Sequence, residues 1–337
     1  MFGKILFENR AYERINFQQF LCADTDKNYI FQEQPYEEQT ARAAGFLKEA
    51  DAVLLGAGAG LSAAAGLTYG GERFQRLFSD FIEKYGSEDM RDMYSAGFYP
   101  YPSEEARWGY WARHAYVNGI EPEGLPLYRE LYGLVKDKPY FVLTTNVDHQ
   151  FQKSGFDENR IFATQGDYGE IQCARGCHDK VYDAVGMFRQ MNQAEKNCCV
   201  PSYMVPRCPI CGGKMEMHLR SDGHFVEDEA WNRAAARYRD FLRENRNKRV
   251  VLLELGVGFN TPVIIRLPFE KMMREKKAYR LIRLNLAEAF VPESFGTRAV
   301  GINADIAKSI ADIENAAGTE PGQADGKERE DGSEGKA

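Results

Sequence analysis

Apolar residues along the chain fall into two kinds of run. Short, near-continuous stretches end in glycine or in polar residues. These are Ala52-Val-Leu-Leu ahead of GAGAGLSAAAG, YFVLTTNVD (140–148), RIFATQ (160–165), RVVLLELGVG (249–258), YRLIRLNL (279–286) and TRAVGINAD (297–305). Strands buried on both faces of a parallel sheet read this way, because neither face needs polar residues. Before, between and after them lie stretches with apolar residues every three or four positions: YEEQTARAAGFLKEA (36–50), TPVIIRLPFEKMMREKK (261–277) and IAKSIADIENAA (306–317). That period predicts amphipathic helices. Strands alternating with helices predict an α/β fold with a doubly wound, parallel, Rossmann-like sheet. Ligands of such sheets sit at the carboxyl ends of the strands. The polar residues that close each run lie there.

Two stretches break the pattern. Residues 67–135 are aromatic and helical in character, as in SEEARWGYWARHAYVNG (103–119). Residues 170–247 open on cysteines and close on a helical run, EAWNRAAARYRDFLRENR (229–246). The expected organisation is therefore a sheet domain from 36–66, 136–169 and 248–315, a helical insertion at 67–135, and a zinc module plus helix at 170–247. Residues 1–35 form an N-terminal arm with no assignment. Residues 316–337 hold too little apolar surface to fold and read as a disordered acidic tail.

Length and charge narrow the classes. At 337 residues the chain has room for about two domains, and its net charge of −7 with no basic patch gives no expectation of nucleic-acid binding. No run approaches the ~20 apolar residues of a membrane span, and the N-terminus lacks a signal-peptide core, so a cytoplasmic location is expected. Six of the seven cysteines fall within 39 residues, which in a reducing compartment points to metal rather than disulfides. Cys173, Cys177, Cys208 and Cys211 form two pairs with three and two intervening residues. Four thiolates close a tetrahedral site, so the expected Zn²⁺ is structural. Cys198, Cys199 and His178 are the alternative ligands in this stretch.

GAGAGLSAAAG (56–66) places a glycine cluster between a strand and a helix. Glycines let a backbone approach a pyrophosphate, and a helix N-terminus offers N–H groups to it. No acidic residue at the end of a second strand is evident, which argues against an ordinary dehydrogenase. Thr144 to Asp148 ends another strand with groups able to orient a ribose, a carboxamide or a water. His114, His149, His218 and His224 stand in no recognisable catalytic context, and Trp108, Tyr110, Trp111 and Tyr116 read as core.

Taken together, GAGAGLSAAAGL (56–67), TTNVD (144–148), TQGDYG (164–169), the two cysteine pairs and LGVGFNTP (255–262) resemble the sirtuin (Sir2) family over roughly residues 40–312. The resemblance implies a large NAD-binding domain with a small zinc module. It implies contact with NAD through Gly56, Ala57, Gly58, Ala59, Leu61, Ser62, Thr68, Tyr69, Asn146, Asp148, Gln165, Gly256, Gly258, Asn285 and Asn303. Of these, Ala57 to Ala59 would line the diphosphate, Asp148 the nicotinamide end, and Gly256, Asn285 and Asn303 the adenosine end. Asn146 and Gln165 would be the catalytic pair. The chain departs from common sirtuins in two places. GLTYGGERF (66–74) stands where they carry Gly-Ile-Pro-Asp-Phe-Arg, so Thr68, Tyr69 and Arg73 would cover the ribose instead. Gln165 stands where they carry the histidine of the His-Gly motif. That pattern is similar to the macrodomain-linked class M branch. The branch implies ADP-ribosylation of a lipoylated carrier protein, with a macrodomain hydrolase as a separate partner.

The glutamine selects among reactions. Sirtuin deacylation uses a histidine base on a ribose hydroxyl, and such bases contribute about 10²–10⁴-fold. A glutamine amide accepts and donates hydrogen bonds but does not titrate. Transfer of ADP-ribose to an Asp or Glu side chain needs no base, since those acceptors ionise near pH 4. The expected activity is therefore NAD-dependent protein ADP-ribosyl transfer with release of nicotinamide. NAD-dependent deacylation, simple NAD hydrolysis and a non-catalytic NAD-binding module are its rivals.

Overall fold

The computed structural model describes residues 28–259 and 262–318. Residues 1–27 of the arm and 319–337 of the tail lie outside the described residues; Tyr29–Ile30 of the arm pairs with Val291–Pro292, and residues 316–318, expected in the tail, instead complete the helix Ile306–Gly318. All six short apolar runs are strands of one parallel sheet, in the spatial order Ala299–Asn303, Arg280–Asn285, Val250–Leu255, Ala52–Ala57, Tyr140–Thr144 and Ile161–Ala163. By chain position that order is 6-5-4-1-2-3, the doubly wound arrangement. Its switch point falls between Ala52–Ala57 and Val250–Leu255, which pair in register from Ala52↔Val250 to Ala57↔Leu255.

The absence of alternation in these runs has the expected cause. Val53, Leu55, Val251 and Leu253 face one layer, made by helices Tyr36–Glu49, Pro126–Val135 and Ile306–Gly318. Leu54, Leu252 and Leu281 face the other, made by Glu229–Asn245 and Arg266–Glu275. Two helices therefore sit elsewhere than their neighbours in sequence suggest. Pro126–Val135 belongs to the first layer through Leu127, Tyr128, Leu131 and Val135, not to the 67–135 insertion. Glu229–Asn245 packs Trp231, Ala235 and Phe241 onto Phe141 and Phe162 of the sheet, not onto the cysteine module.

The remaining residues form two smaller cores. One gathers Phe74, Phe78, Phe81, Met93 and Tyr110 among the helices Gly71–Leu77, Ser79–Tyr85, Met93–Gly97 and Glu104–Ala115. The other lies under a three-stranded antiparallel sheet in which Gly166–Cys173 is central, flanked by Val181–Asp183 and Met215–Leu219. Gly166–Cys173 crosses the expected boundary at residue 169, so one strand joins the end of the large domain to the first cysteine. Among the described residues, no helix is long and apolar enough to cross a membrane.

Candidate active site

The loops that leave the two switch-point strands touch backbone to backbone. Gly58 N–H donates to Leu255 O (3.0 Å) and Gly60 N–H donates to Gly256 O (3.0 Å). A Cβ on Gly60 would lie 2.7 Å from Gly256 Cα, and one on Gly256 would lie 2.4 Å from Gly60 C. Gly256 also has φ +60°, which a side chain resists. These glycines are required first to let one loop interlock with the other. Their two N–H groups are consumed in that contact.

Above the interlock opens a cavity of about 900 Å³. Gly58, Ala59, Ser62, Tyr69, Asn146, Asp148, Gln165, Gly256, Gly258 and Asn285 all line it. The other expected residues do not. Gly56 is packed under Ile265 and Phe269, where a Cβ would sit 2.4 Å from Ile265 Cγ2. Ala57 and Leu61 are fully buried in the core of the first layer. Thr68 lies off the cavity wall, and Asn303 is exposed at the end of the edge strand. Arg73 is turned away: it donates to Thr68 O (2.9 Å), Asn118 Oδ1 (2.7 Å) and Val117 O (2.8 Å), and so pins the π-helical turn Tyr116–Ile120.

A line of hydrogen bonds orders the buried wall. Asn146 Nδ2 donates to Gly58 O (3.0 Å) and to Tyr128 Oη (3.3 Å). Tyr128 pairs with Ser62 Oγ (3.0 Å), and Ser62 donates to Asp148 Oδ2. Both amide hydrogens of Asn146 are thus committed, and its Oδ1 remains as an acceptor toward the cavity. Burial raises the Asp148 carboxyl above the usual carboxylate range, against the lowering effect of the Ser62 and Gln150 hydrogen bonds. Across from it, Tyr69 and Tyr168 share a hydroxyl contact of 2.6 Å. Burial pushes the Tyr69 phenol up to about 12.

Gln165 is held by its backbone. Its carbonyl accepts from Arg220 N (3.0 Å), and Arg220 Nε donates to Thr164 O (3.3 Å). Arg220 is in turn fixed by Glu227 (2.8 Å) and lies 4.0 Å over the Phe225 ring. The next residue, Gly166, has φ +96°, and a Cβ there would sit 1.8 Å from His218 O. The glycine therefore turns the chain from the large sheet into the small one and leaves the Gln165 side chain on the cavity wall. His149, next to Asp148, gives its Nδ1 to Asp167 Oδ2 (2.8 Å), which holds its pKa above the ordinary histidine value.

Beneath the far end of the cavity lies a group that the sequence does not announce. Glu254, Arg266, Glu270 and Arg283 are all fully buried. Arg266 joins Glu254 (3.1 Å) to Val257 O (2.7 Å) and Glu288 O (2.8 Å), so it ties together the loops after two strands. Arg283 joins Glu254 (2.8 Å) and Glu270 (2.9 Å). The only signal was a charge inside each apolar run, at Glu254 and Arg283. Tyr128 and Arg220 left no signal at all.

The four cysteines Cys173, Cys177, Cys208 and Cys211 converge, with all four sulfurs within 4.8 Å of one another. The Cys173–Cys211 and Cys177–Cys208 sulfur separations are 3.8 and 3.6 Å. A tetrahedron with Zn–S bonds of about 2.3 Å has edges of about 3.8 Å. The set fits zinc and leaves no open position. Cys198 is not part of it; that thiol is buried beside Asp80 and Glu195. His178 lies 3.0 Å from Cys177 through Nδ1, with Nε2 bonded to Tyr182.

No family model matches the chain. It is 35% identical over 265 residues, 78% of its own length and 83% of the relative's, to a Staphylococcus aureus protein named protein ADP-ribosyltransferase. It is also 35% identical over 262 residues to a Fusarium oxysporum protein named probable bifunctional ADP-ribose hydrolase/ADP-ribosyltransferase. That match spans 73% of this chain and 42% of the larger relative. Among solved structures, a Sir2 homolog–NAD complex shares the fold, with a TM-score of 0.51 at 13% identity over 86% of this chain and 97% of that one.

Proposed function

Because this chain belongs to the ADP-ribosylating branch of the sirtuin family, we propose that it transfers ADP-ribose from NAD to a lipoyl-carrying acceptor protein of the glycine-cleavage H type. NAD, when bound, supplies the ADP-ribosyl group and leaves as nicotinamide. The observation that carries the reading is Gln165 on the same cavity wall as Asn146 and Asp148. An amide there orients a ribose hydroxyl and does not deprotonate it. Asn146 Oδ1, fixed by its two committed hydrogens, is the second orienting acceptor. Positioning and exclusion of water are the effects such a wall supplies, and transfer to an ionised carboxylate asks for little more. The adenosine end is assigned to Gly256, Gly258 and Asn285.

Two further features support the finer claims. Tyr94, Phe98 and Trp111 line the other end of the cavity, and Tyr94 and Phe98 are half exposed there. Such a rim suits a long, apolar lysine adduct such as lipoyl. The Fusarium relative's name joins an ADP-ribose hydrolase to the transferase, which supports a macrodomain hydrolase acting as a separate partner here.

The test is intact-protein mass spectrometry of a carrier protein, lipoylated and unlipoylated, incubated with enzyme and NAD. The expected result is one added ADP-ribose on the lipoylated form only, absent with Asn146→Ala. Loss of the lipoyl group instead would make the enzyme a deacylase and overturn the reading of Gln165.

A further inference from the structure

His114 is 2% exposed, yet it lines the cavity. Its Nδ1 lies 3.2 Å from the Tyr110 hydroxyl. That hydroxyl already gives its single proton to the Met93 carbonyl, which accepts only. The Nδ1 must therefore carry the ring proton, and Nε2 presents a bare lone pair. Nε2 has no hydrogen-bond partner although it is fully buried. Buried polar atoms are rarely left so, because an unmet one costs stability. Burial, with the nearby Arg73 charge, pulls the ring's pKa down to about 3, so the acceptor stays neutral in the cell's pH range.

The surroundings indicate what would meet it. Tyr110 is not on the cavity wall, whereas His114, Trp111 and Tyr168 are. There the Tyr168 ring stands edge-on at 4.9 Å and the Trp111 ring at 5.2 Å. Tyr69 and Tyr168 lie near enough to Asp148 for its charge to raise both phenols. This corner is aromatic-walled, has a carboxyl at one side and a neutral acceptor at its floor. A flat cationic pyridinium with one outward N–H donor matches each element: rings for its faces, a carboxyl for its charge, a lone pair for its donor.

We propose that His114 Nε2 accepts a hydrogen bond from the carboxamide N–H of the nicotinamide ring, and so selects a primary carboxamide on the leaving group. The inference rests on the NAD reading above. It also explains why the imidazole is kept neutral, since an imidazolium would repel the pyridinium and have no lone pair to offer.

The test compares equilibrium binding of NAD, of 3-acetylpyridine adenine dinucleotide, and of ADP-ribose. The acetylpyridine compound keeps the carbonyl and lacks the N–H. A site built around a donor discriminates against its loss, so the wild type should bind NAD about 10-fold more tightly than the acetylpyridine analogue. His114→Leu should bind the two equally, His114→Gln should keep part of the preference through its Oε1, and ADP-ribose affinity should be unchanged in both. An equal preference in wild type and His114→Leu overturns the assignment. So does a loss of ADP-ribose affinity as large as the loss for NAD, which would make the ring a packing element. If the wild type binds neither NAD nor ADP-ribose, the functional reading itself fails, and that outcome is distinct from both.

Discussion

Arg283→Met tests whether the buried charge group holds in place the loops that bring Val257 and Glu288 to the cavity. Arg283 and Glu254 face each other in register on neighbouring strands. Removing the guanidinium deletes its contacts to Glu254 (2.8 and 2.9 Å), Glu270 (2.9 Å) and Phe290 O (2.7 Å). Among the described residues, Glu270 keeps only the Tyr29 hydroxyl (2.7 Å), and Glu254 keeps only Arg266 (3.1 Å). Two cations balance two anions in the native group, so the substitution leaves one uncompensated charge among residues with no exposure. Breaking a buried pair from one side costs about 3–5 kcal/mol. That is a large share of the ~5–15 kcal/mol by which domains are stable.

The assay is urea unfolding at pH 7, run as a cycle with Glu270→Gln. The single Arg283→Met variant should lose about 3–5 kcal/mol. Adding Glu270→Gln restores neutrality, so the double variant should be more stable than Arg283→Met by about 1–2 kcal/mol, a coupling that independent sites do not show. ADP-ribose affinity should fall in the single variant, because Glu254 no longer shares its charge between two arginines and Arg266 is the residue that holds Val257 O and Glu288 O. A cost under about 1 kcal/mol for Arg283→Met, the range of exposed pairs, would show that water reaches the group. Simple additivity in the double variant would refute the charge-balance argument.

Other consequences follow from single features. Metal analysis should find one zinc per chain, lost in Cys208→Ser. Chelation should lower the melting temperature by more than about 10 °C, since a structural zinc contributes on the order of 10 kcal/mol. It should also stop ADP-ribosyl transfer, because the strand that ends at Cys173 begins directly after Gln165. Gly256→Ala should cost about 3 kcal/mol or more and abolish ADP-ribose binding, given φ +60° and a Cβ 2.4 Å from Gly60 C. Gly45→Ala, mid-helix with nothing within 4 Å, should instead gain up to about 1 kcal/mol by the same unfolding assay. His114 sets an acid branch. Its pKa is about 3 in the fold and near 6.5 when unfolded, so between these values the unfolded chain binds more protons. Stability is full above pH 6.5 and is lost as pH falls. The loss from pH 7.5 to pH 5 should be ~2 kcal/mol larger in the wild type than in His114→Leu. Equal slopes would show that the ring is protonated in the fold.

What could be read from the chain was whatever depends on neighbours in sequence. The six strands were legible because burial on both faces writes a continuous apolar run, as in Val250–Leu255, regardless of which strands lie beside it. The cysteine pairs were legible because a tight knuckle fixes their spacing. The antiparallel sheet around Gly166–Cys173 was not, since its strands carry mixed residues such as Asp167, Glu170 and Gln172 and are set by register with Met215–Leu219. Helix Pro126–Val135 was grouped by position, although its apolar face through Leu127, Leu131 and Val135 belongs to the sheet.

The site divides along the same line. Asn146, Asp148 and Gln165 stand just past strand ends and Ser62 in the short helix Ala59–Ala64 that follows another, where architecture alone directs side chains toward a ligand, and all four line the cavity. Arg73 follows the same glycine-rich segment and yet turns to Asn118 and Val117, because a partner 45 residues away decides where its guanidinium rests. His114 fails in the opposite direction. A histidine in an aromatic helix reads as core, and by burial it is core. Only the prior claim of Met93 O on the Tyr110 proton leaves Nε2 bare. The glycines join the two cases. Gly58, Gly60 and Gly256 were conspicuous in sequence as a ligand loop, and they do bound the cavity. Yet what makes a side chain impossible at Gly60 and Gly256 is the other loop at 2.4–2.7 Å. A glycine cluster marks a close approach of backbone to something, and only the folded chain says that the first thing approached is the chain itself.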